Sequence, residues 1–358
     1  MFLPNHGANP KQFVQALGLQ SNEDALDFSV NTNPLGFPGA IKKNWLSYLH
    51  LIEEYPDPHG YDLKATIARK EQISINQILL GNGAAELIYL LAQTFRGQRV
   101  MIVEPSFSEY RDAAMAQHCR LSYFQLTAEA GWKLSVSELS KEFASVDVVF
   151  ICHPNNPTGV VYDDHAWAEL LSHAERLNTT VVVDEAFYDF CSAPISVLQH
   201  VHQFKNLVVL RSLTKMYSIP GIRLGYLAAN EQLVKRLAKL QHPWNINGLA
   251  QVIGKVCLES ASHVEETVSF VSAERNRLLS RCGELGFETS PSQVNFFLLK
   301  EPNLEDAMPL ITYLIEREII PRHTYNFRGL DGAYVRLAVK GEEANNKLLH
   351  ALESWKQR

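Results

Sequence analysis

Leu207-Val-Val-Leu210-Arg-Ser212-Leu-Thr-Lys215-Met-Tyr-Ser-Ile-Pro220-Gly-Ile-Arg223-Leu-Gly-Tyr226 joins a short apolar run to a polar loop that carries one lysine. The run from Leu207 to Leu210 predicts a buried strand, with Lys215 just beyond its carboxyl end. Upstream, the runs Ile78 to Leu80, Val100 to Val103, Val148 to Ile151 and Val181 to Val183 read the same way, and helical patterns separate them from about residue 60 to 215. Strands alternating with helices imply an α/β fold built on a doubly wound, mainly parallel sheet. In such sheets ligands gather at the carboxyl ends of the strands, which is where Lys215 falls.

The loop chemistry is specific. Ser212 stands three residues before the lysine and Arg223 eight residues after it. A lysine amine can condense with an aldehyde, while a hydroxyl and a guanidinium hold a phosphate through charge-assisted hydrogen bonds. S-x-x-K alone also occurs in serine-acylating hydrolases. The arginine and the Pro220-Gly221 turn point instead to a cofactor bearing both aldehyde and phosphate, pyridoxal 5′-phosphate.

That cofactor needs further partners, and other strand ends offer them. Thr180-Val-Val-Val-Asp184 ends a β-branched run in an acid, the residue type that keeps a pyridine nitrogen protonated. His153-Pro-Asn-Asn156-Pro-Thr-Gly159 follows the Val148 run, and the Asn156 amide can donate to a ring oxygen. Gly81-Asn-Gly83-Ala84-Ala85-Glu86 lies between a strand and a helical pattern, so its backbone N–H groups can face a phosphate. Each has a bland reading as a cap, a tight turn or a glycine loop. Their common order at successive strand ends favours one site.

The set G-N-G-A-A-E, N-N-P-T-G, D-E-A-F and S-L-T-K with its following arginine resembles the fold-type I pyridoxal-phosphate enzymes, in the aminotransferase class that includes histidinol-phosphate aminotransferase. His6-Gly-Ala-Asn9, Asn31-Thr-Asn-Pro-Leu-Gly36, Pro243-Trp-Asn-Ile-Asn247, Ile320-Pro-Arg322 and Tyr334-Val-Arg336 resemble the threonine-phosphate decarboxylase family of the cobalamin pathway. The resemblance implies a large domain, residues 46–245, with a mainly parallel seven-stranded sheet, and a small α/β domain from residues 1–45 and 246–358. It implies that Phe107 stacks on the cofactor ring and that Tyr55 reaches the cofactor of a neighbouring subunit in a homodimer. It also implies that Arg336 holds a substrate carboxylate, with Arg322, His6 and Asn31 around a distal phosphate. Two positions depart from the patterns: Ala8 replaces a glycine of the decarboxylase opening, and Phe187 stands where many aminotransferases carry a tyrosine.

Charge and cysteine usage exclude several classes. A net charge of −6 argues against nucleic acid or an anionic membrane as the main partner. The five cysteines form no C-x-x-C, which suits a reducing compartment. The opening Met1-Phe-Leu-Pro-Asn-His6 lacks the features of a signal peptide, and no segment reads as a membrane span. A cytoplasmic protein is expected. His200 and His202 have no accompanying ligand cluster, so no metal is expected.

Three readings stay open on sequence. The first is a decarboxylase of threonine phosphate. The second is a histidinol-phosphate or aromatic amino acid aminotransferase. The third is a cofactor-binding module without turnover, against which Lys215, Asp184 and Asn156 together count.

Overall fold

The computed structural model describes residues 3–4, 7, 9–20, 22, 24–163 and 167–358. Its central sheet has seven strands in the spatial order Ile78–Gly81, Gly225–Ala229, Leu207–Ser212, Thr180–Asp184, Val148–Cys152, Arg99–Glu104 and Arg120–Gln125. Gly225–Ala229 runs antiparallel to both neighbours, and the remaining pairings are parallel. All five apolar runs are strands of this sheet. Gly225-Tyr-Leu-Ala-Ala and Arg120-Leu-Ser-Tyr-Phe-Gln are the strands that no apolar run announces. The first is rich in small residues, and the second is a half-exposed edge strand with polar ends.

Side chains alternate across each strand, and both faces are covered, as parallel sheets require. Val181, Val183 and Val209 pack with Trp167, Phe187 and Phe190 on one face. Val182, Val208 and Leu210 pack with Leu87, Leu91 and Tyr110 on the other. The buried strand residues are almost all β-branched or leucine, which explains why periodicity found them.

A second core lies around a four-stranded antiparallel sheet in the order Arg322–His323, Val335–Ala338, Phe296–Lys300 and Glu288–Thr289. Phe13, Phe28, Phe297, Leu310, Leu337 and Leu348 fill it, so the start and the end of the chain share one interior. Leu26–Asp27 pairs in parallel with Ile319–Ile320 and ties them together. Two helices, Gly248–Leu258 and Ala261–Glu284, lead from the large sheet to this core. The first buries Ala250, Ile253 and Cys257 in the core of the seven-stranded sheet, so it packs on the large-sheet side. Among the described residues, no helix is long and apolar enough to cross a membrane.

Candidate functional site

At the carboxyl ends of the parallel strands lies a cavity of about 460 Å³, and the smaller sheet closes its far wall. Gly83, Ala84, Ala85, Phe107, Asn156, Asp184, Ser212, Lys215 and Arg223 line it from the large-sheet side. Asn31, Arg322 and Arg336 line it from the other. A larger open groove of about 710 Å³ runs past Asn303, Pro309 and Glu316 and contains none of these residues. Tyr55 is 85% exposed, away from this cavity, with its ring 5.2 Å from that of Trp244. His6 lies outside the described residues.

One end of the cavity gathers groups that can hold an anion, a candidate cradle. The helix Gly83–Thr94 begins at the carboxyl end of Ile78–Gly81, so its first N–H groups have no intrahelical acceptors. Gly83 has a φ of +74°, and a Cβ built there would sit 2.5 Å from Arg223 Nη2. Only glycine admits the guanidinium so close to the helix start. Arg223 itself is left-handed at φ 59° and donates to the Pro220 carbonyl at 3.2 Å. Ser212 Oγ and Thr214 Oγ1 are 2.8 Å apart beside it. Thr214, whose hydroxyl the sequence reading passed over, thus joins the cradle.

At the base, Asp184 is buried and accepts from the Tyr110 hydroxyl at 2.6 Å and from the Ala186 N–H at 3.0 Å. Burial raises its carboxyl pKa, while Tyr110, Ala186 and the lysine charge pull it back. Tyr110 was not anticipated. It stands three residues after Phe107, in the first turn of the helix Glu109–Ala116, and the two rings meet edge to face at 5.9 Å.

Lys215 stands between these groups and the arginines. Burial first, then repulsion from Arg336 and Arg223, lowers its amine to about 8, against the pull of Asp184. An amine so placed is part neutral near neutral pH, the state in which it is nucleophilic. The segment from the start of the chain reaches this loop too: the Asn33 N–H donates to the Lys215 carbonyl at 3.0 Å.

The far wall holds two arginines directly opposite each other, Arg322 and Arg336, on adjacent antiparallel strands. Like charges facing across a strand pair oppose folding. Both are buried, and burial lowers Arg336 to about 10 and Arg322 to about 9, the latter also through Arg336. Arg336 donates to Asn156 Oδ1 at 2.6 Å and to the Ser29 carbonyl at 2.8 Å, which turns the Asn156 amide nitrogen away from the guanidinium. Among the described residues, its Nε has no hydrogen-bond partner, and neither has Asn31 Nδ2. Arg322 donates to Asn326 Oδ1 at 2.6 Å. Unsatisfied buried donors beside paired cations suit a ligand with more than one anionic group.

Comparison with known proteins agrees with the fold. The chain is 34% identical over 356 residues to the threonine-phosphate decarboxylase of Salmonella typhimurium, covering 99% of this chain and 97% of that one. It is 31% identical to the adenosylcobalamin biosynthesis bifunctional protein CobDQ of Leptospira interrogans, covering 99% of this chain and 41% of that longer protein. The crystal structure of the histidinol-phosphate aminotransferase from Clostridium acetobutylicum superposes with a TM-score of 0.88 at 30% identity, covering 93% of this chain and 99% of that one. The model of the aminotransferase class I and II family matches residues 23–352. Because that family model spans most of the chain and a relative 34% identical matches it nearly end to end, the chain belongs to the aminotransferase class I and II family.

Proposed function

We infer that the protein is a pyridoxal-phosphate-dependent carboxy-lyase that converts L-threonine O-3-phosphate to (R)-1-amino-2-propanol O-2-phosphate in cobalamin biosynthesis. The carrying observation is the buried Arg322–Arg336 pair, which provides two cationic positions for a substrate with both a carboxylate and a phosphate. The full-length likeness to a threonine-phosphate decarboxylase and to a cobalamin-biosynthesis protein supports the choice.

The cavity residues fit pyridoxal phosphate. The helix start at Gly83, held close to the Arg223 guanidinium because no Cβ stands there, offers with Ser212 the N–H groups, hydroxyl and positive charge that a phosphate needs. Phe107 lines the same cavity, its ring 5.9 Å from that of Tyr110, which bonds Asp184, and a pyridine ring would stack on it. Asp184 would hold the proton on the ring nitrogen, and Asn156 would donate to the ring oxygen. When bound, this cofactor supplies an electron sink for a pair released at the substrate Cα.

The chain's own residues then decide what is released. Arg336 would grip the α-carboxylate and Arg322 the phosphate, so the two together fix the substrate's rotation about its Cα. That rotation selects the bond that stands perpendicular to the ring plane. Loss of the Cα–carboxylate bond liberates carbon dioxide, and a proton takes its place on Cα. Lys215 Nζ, which exchanges a proton near neutral pH, is the group placed to supply it.

The second reading, a histidinol-phosphate or aromatic amino acid aminotransferase, draws on the TM-score of 0.88 to a histidinol-phosphate aminotransferase. The two separate in one assay. Pure protein with pyridoxal phosphate and threonine phosphate should release carbon dioxide without 2-oxoglutarate. Product formation only with 2-oxoglutarate would reverse the choice.

We propose further that the active unit is a homodimer. Leu46, Ile52 and Tyr55 are 78%, 68% and 85% exposed on one stretch near Trp244, a patch of the kind that a second chain covers. Residues 46–245 would form the large domain, with 1–45 and 246–358 as the small one and Gly248–Leu258 packed across their junction. A cytoplasmic location follows from the same reading.

A further inference from the structure

Successive residues of a strand face opposite ways. Asp184 and Ser212 line the cavity, so their neighbours Glu185 and Arg211 face the opposite side of the sheet. There they meet. Arg211 Nε donates to Glu185 Oε2 at 2.7 Å, with 2% exposure on one side chain and none on the other. Ser196 closes the triangle, donating to Glu185 Oε2 at 2.8 Å and accepting from Arg211 Nη2 at 2.7 Å. The Val197 N–H fixes Glu185 Oε1 at 2.6 Å, and the Arg211 guanidinium lies 3.2 Å from the Tyr188 ring centroid.

The backbone ladder between these two strands ends at Asp184 and Leu210, with one last bond from the Glu185 N–H to the Leu210 carbonyl at 2.9 Å. Ser212 lies beyond it and pairs instead with Gly225 on the other side. The ion pair therefore extends the tie between the strands past the end of the ladder. Stability alone does not call for it, because apolar residues of similar volume often replace a buried ion pair without loss.

We propose that Arg211 and Glu185 are positioning residues that set the separation of Asp184 and Ser212, and so select a ligand that must touch both. The proposal rests on the reading that this cavity takes pyridoxal phosphate. Such a ligand spans from the ring nitrogen at Asp184 to the phosphate at Ser212. Pyridoxal without its phosphate makes only the first contact and does not sense the spacing.

The test uses that difference. Arg211→Met with Glu185→Leu removes both charges of the pair, and costs the part-exposed Glu71 its looser contact with Arg211 Nη1 at 3.8 Å. Arg211→Lys keeps the charge but loses the fork that bonds Glu185 and Ser196 together. Dissociation constants for pyridoxal phosphate and for pyridoxal are measured by the visible absorbance of the bound aldehyde, alongside thermal midpoints of the cofactor-free proteins. The proposal expects pyridoxal phosphate to bind at least tenfold more weakly to either variant, with pyridoxal binding within about twofold of the parent. Equal losses for both ligands, or no loss, would overturn it. If the double variant does not fold, Arg211→Lys decides by the same comparison. If neither folds, the pair is a folding requirement and the positioning role is wrong. A parent protein that binds no pyridoxal phosphate would refute the cofactor reading itself, a separate result.

Discussion

Replacing Lys215 by methionine should stabilise the cofactor-free protein at neutral pH. The amine falls from 10.5 to about 8 because the folded chain surrounds a charged lysine with little water and two arginines. Each tenfold change in proton affinity is worth ~1.4 kcal/mol, so the charged amine costs the fold about 3 kcal/mol. Below about pH 8 the lysine is protonated in both folded and unfolded chains, and the full penalty is present. Between about 8 and 10.5 the folded chain loses the proton while the unfolded chain keeps it, and the penalty fades. Above that range neither state is charged. Methionine has a similar volume and no charge, so Lys215→Met should raise the thermal midpoint by about 6 °C at pH 7, taking roughly 2 °C per kcal/mol for a chain of this size. The gain should shrink to near zero by pH 11. Scanning calorimetry of both cofactor-free proteins across that range is the assay. A gain of equal size at both ends, or a loss at pH 7, would mean that the lysine carries no buried-charge penalty. The explanation of its reactivity would then fall.

The two arginines should separate by substrate. Arg322→Gln should lower kcat/KM for threonine phosphate by about 2–5 kcal/mol, the loss typical of a broken buried charge pair, and affect unphosphorylated threonine far less. Arg336→Gln should damage both substrates, because both carry the α-carboxylate; equal losses in the Arg322 variant would make that arginine structural. Sedimentation at working concentration should show a dimer, and Tyr55→Ala should weaken cofactor retention if Tyr55 serves the partner's site. A fully active monomer would remove that role.

The parts of the fold that sequence made legible are those where burial on both faces forces continuous apolar runs. Val148–Cys152 and Thr180–Asp184 could hardly be read otherwise. Gly225–Ala229 escaped because close approach selects small residues there: a Cβ on Gly225 would lie 2.7 Å from the Arg211 carbonyl oxygen and 2.8 Å from the Ala84 nitrogen. For the site, residues at strand ends could be placed because the sheet topology brings such ends together. Contacts made across the fold could not. The bond from Tyr110 to Asp184 joins different strand-end segments, and nothing local marks it. Likewise, the facing of Arg322 and Arg336 depends on the register of two short strands, which a one-residue slip would abolish.

The register pair Ser212 and Gly225 has a mechanical consequence for the lysine loop. Adjacent strands clamp both ends of the loop 213–224, which makes it a closed hairpin connection. Lengthening such a loop is cheap for the sheet, since doubling it adds only about 0.6 kcal/mol of closure entropy. The same change, made between Lys215 and Arg223, would break the bonds from the Ile219 N–H to the Thr214 carbonyl and from Arg223 to the Pro220 carbonyl that tie the two arms of the loop to its tip. The loop length therefore acts as a ruler between the lysine and the arginine, one that the ligand reads and the fold does not.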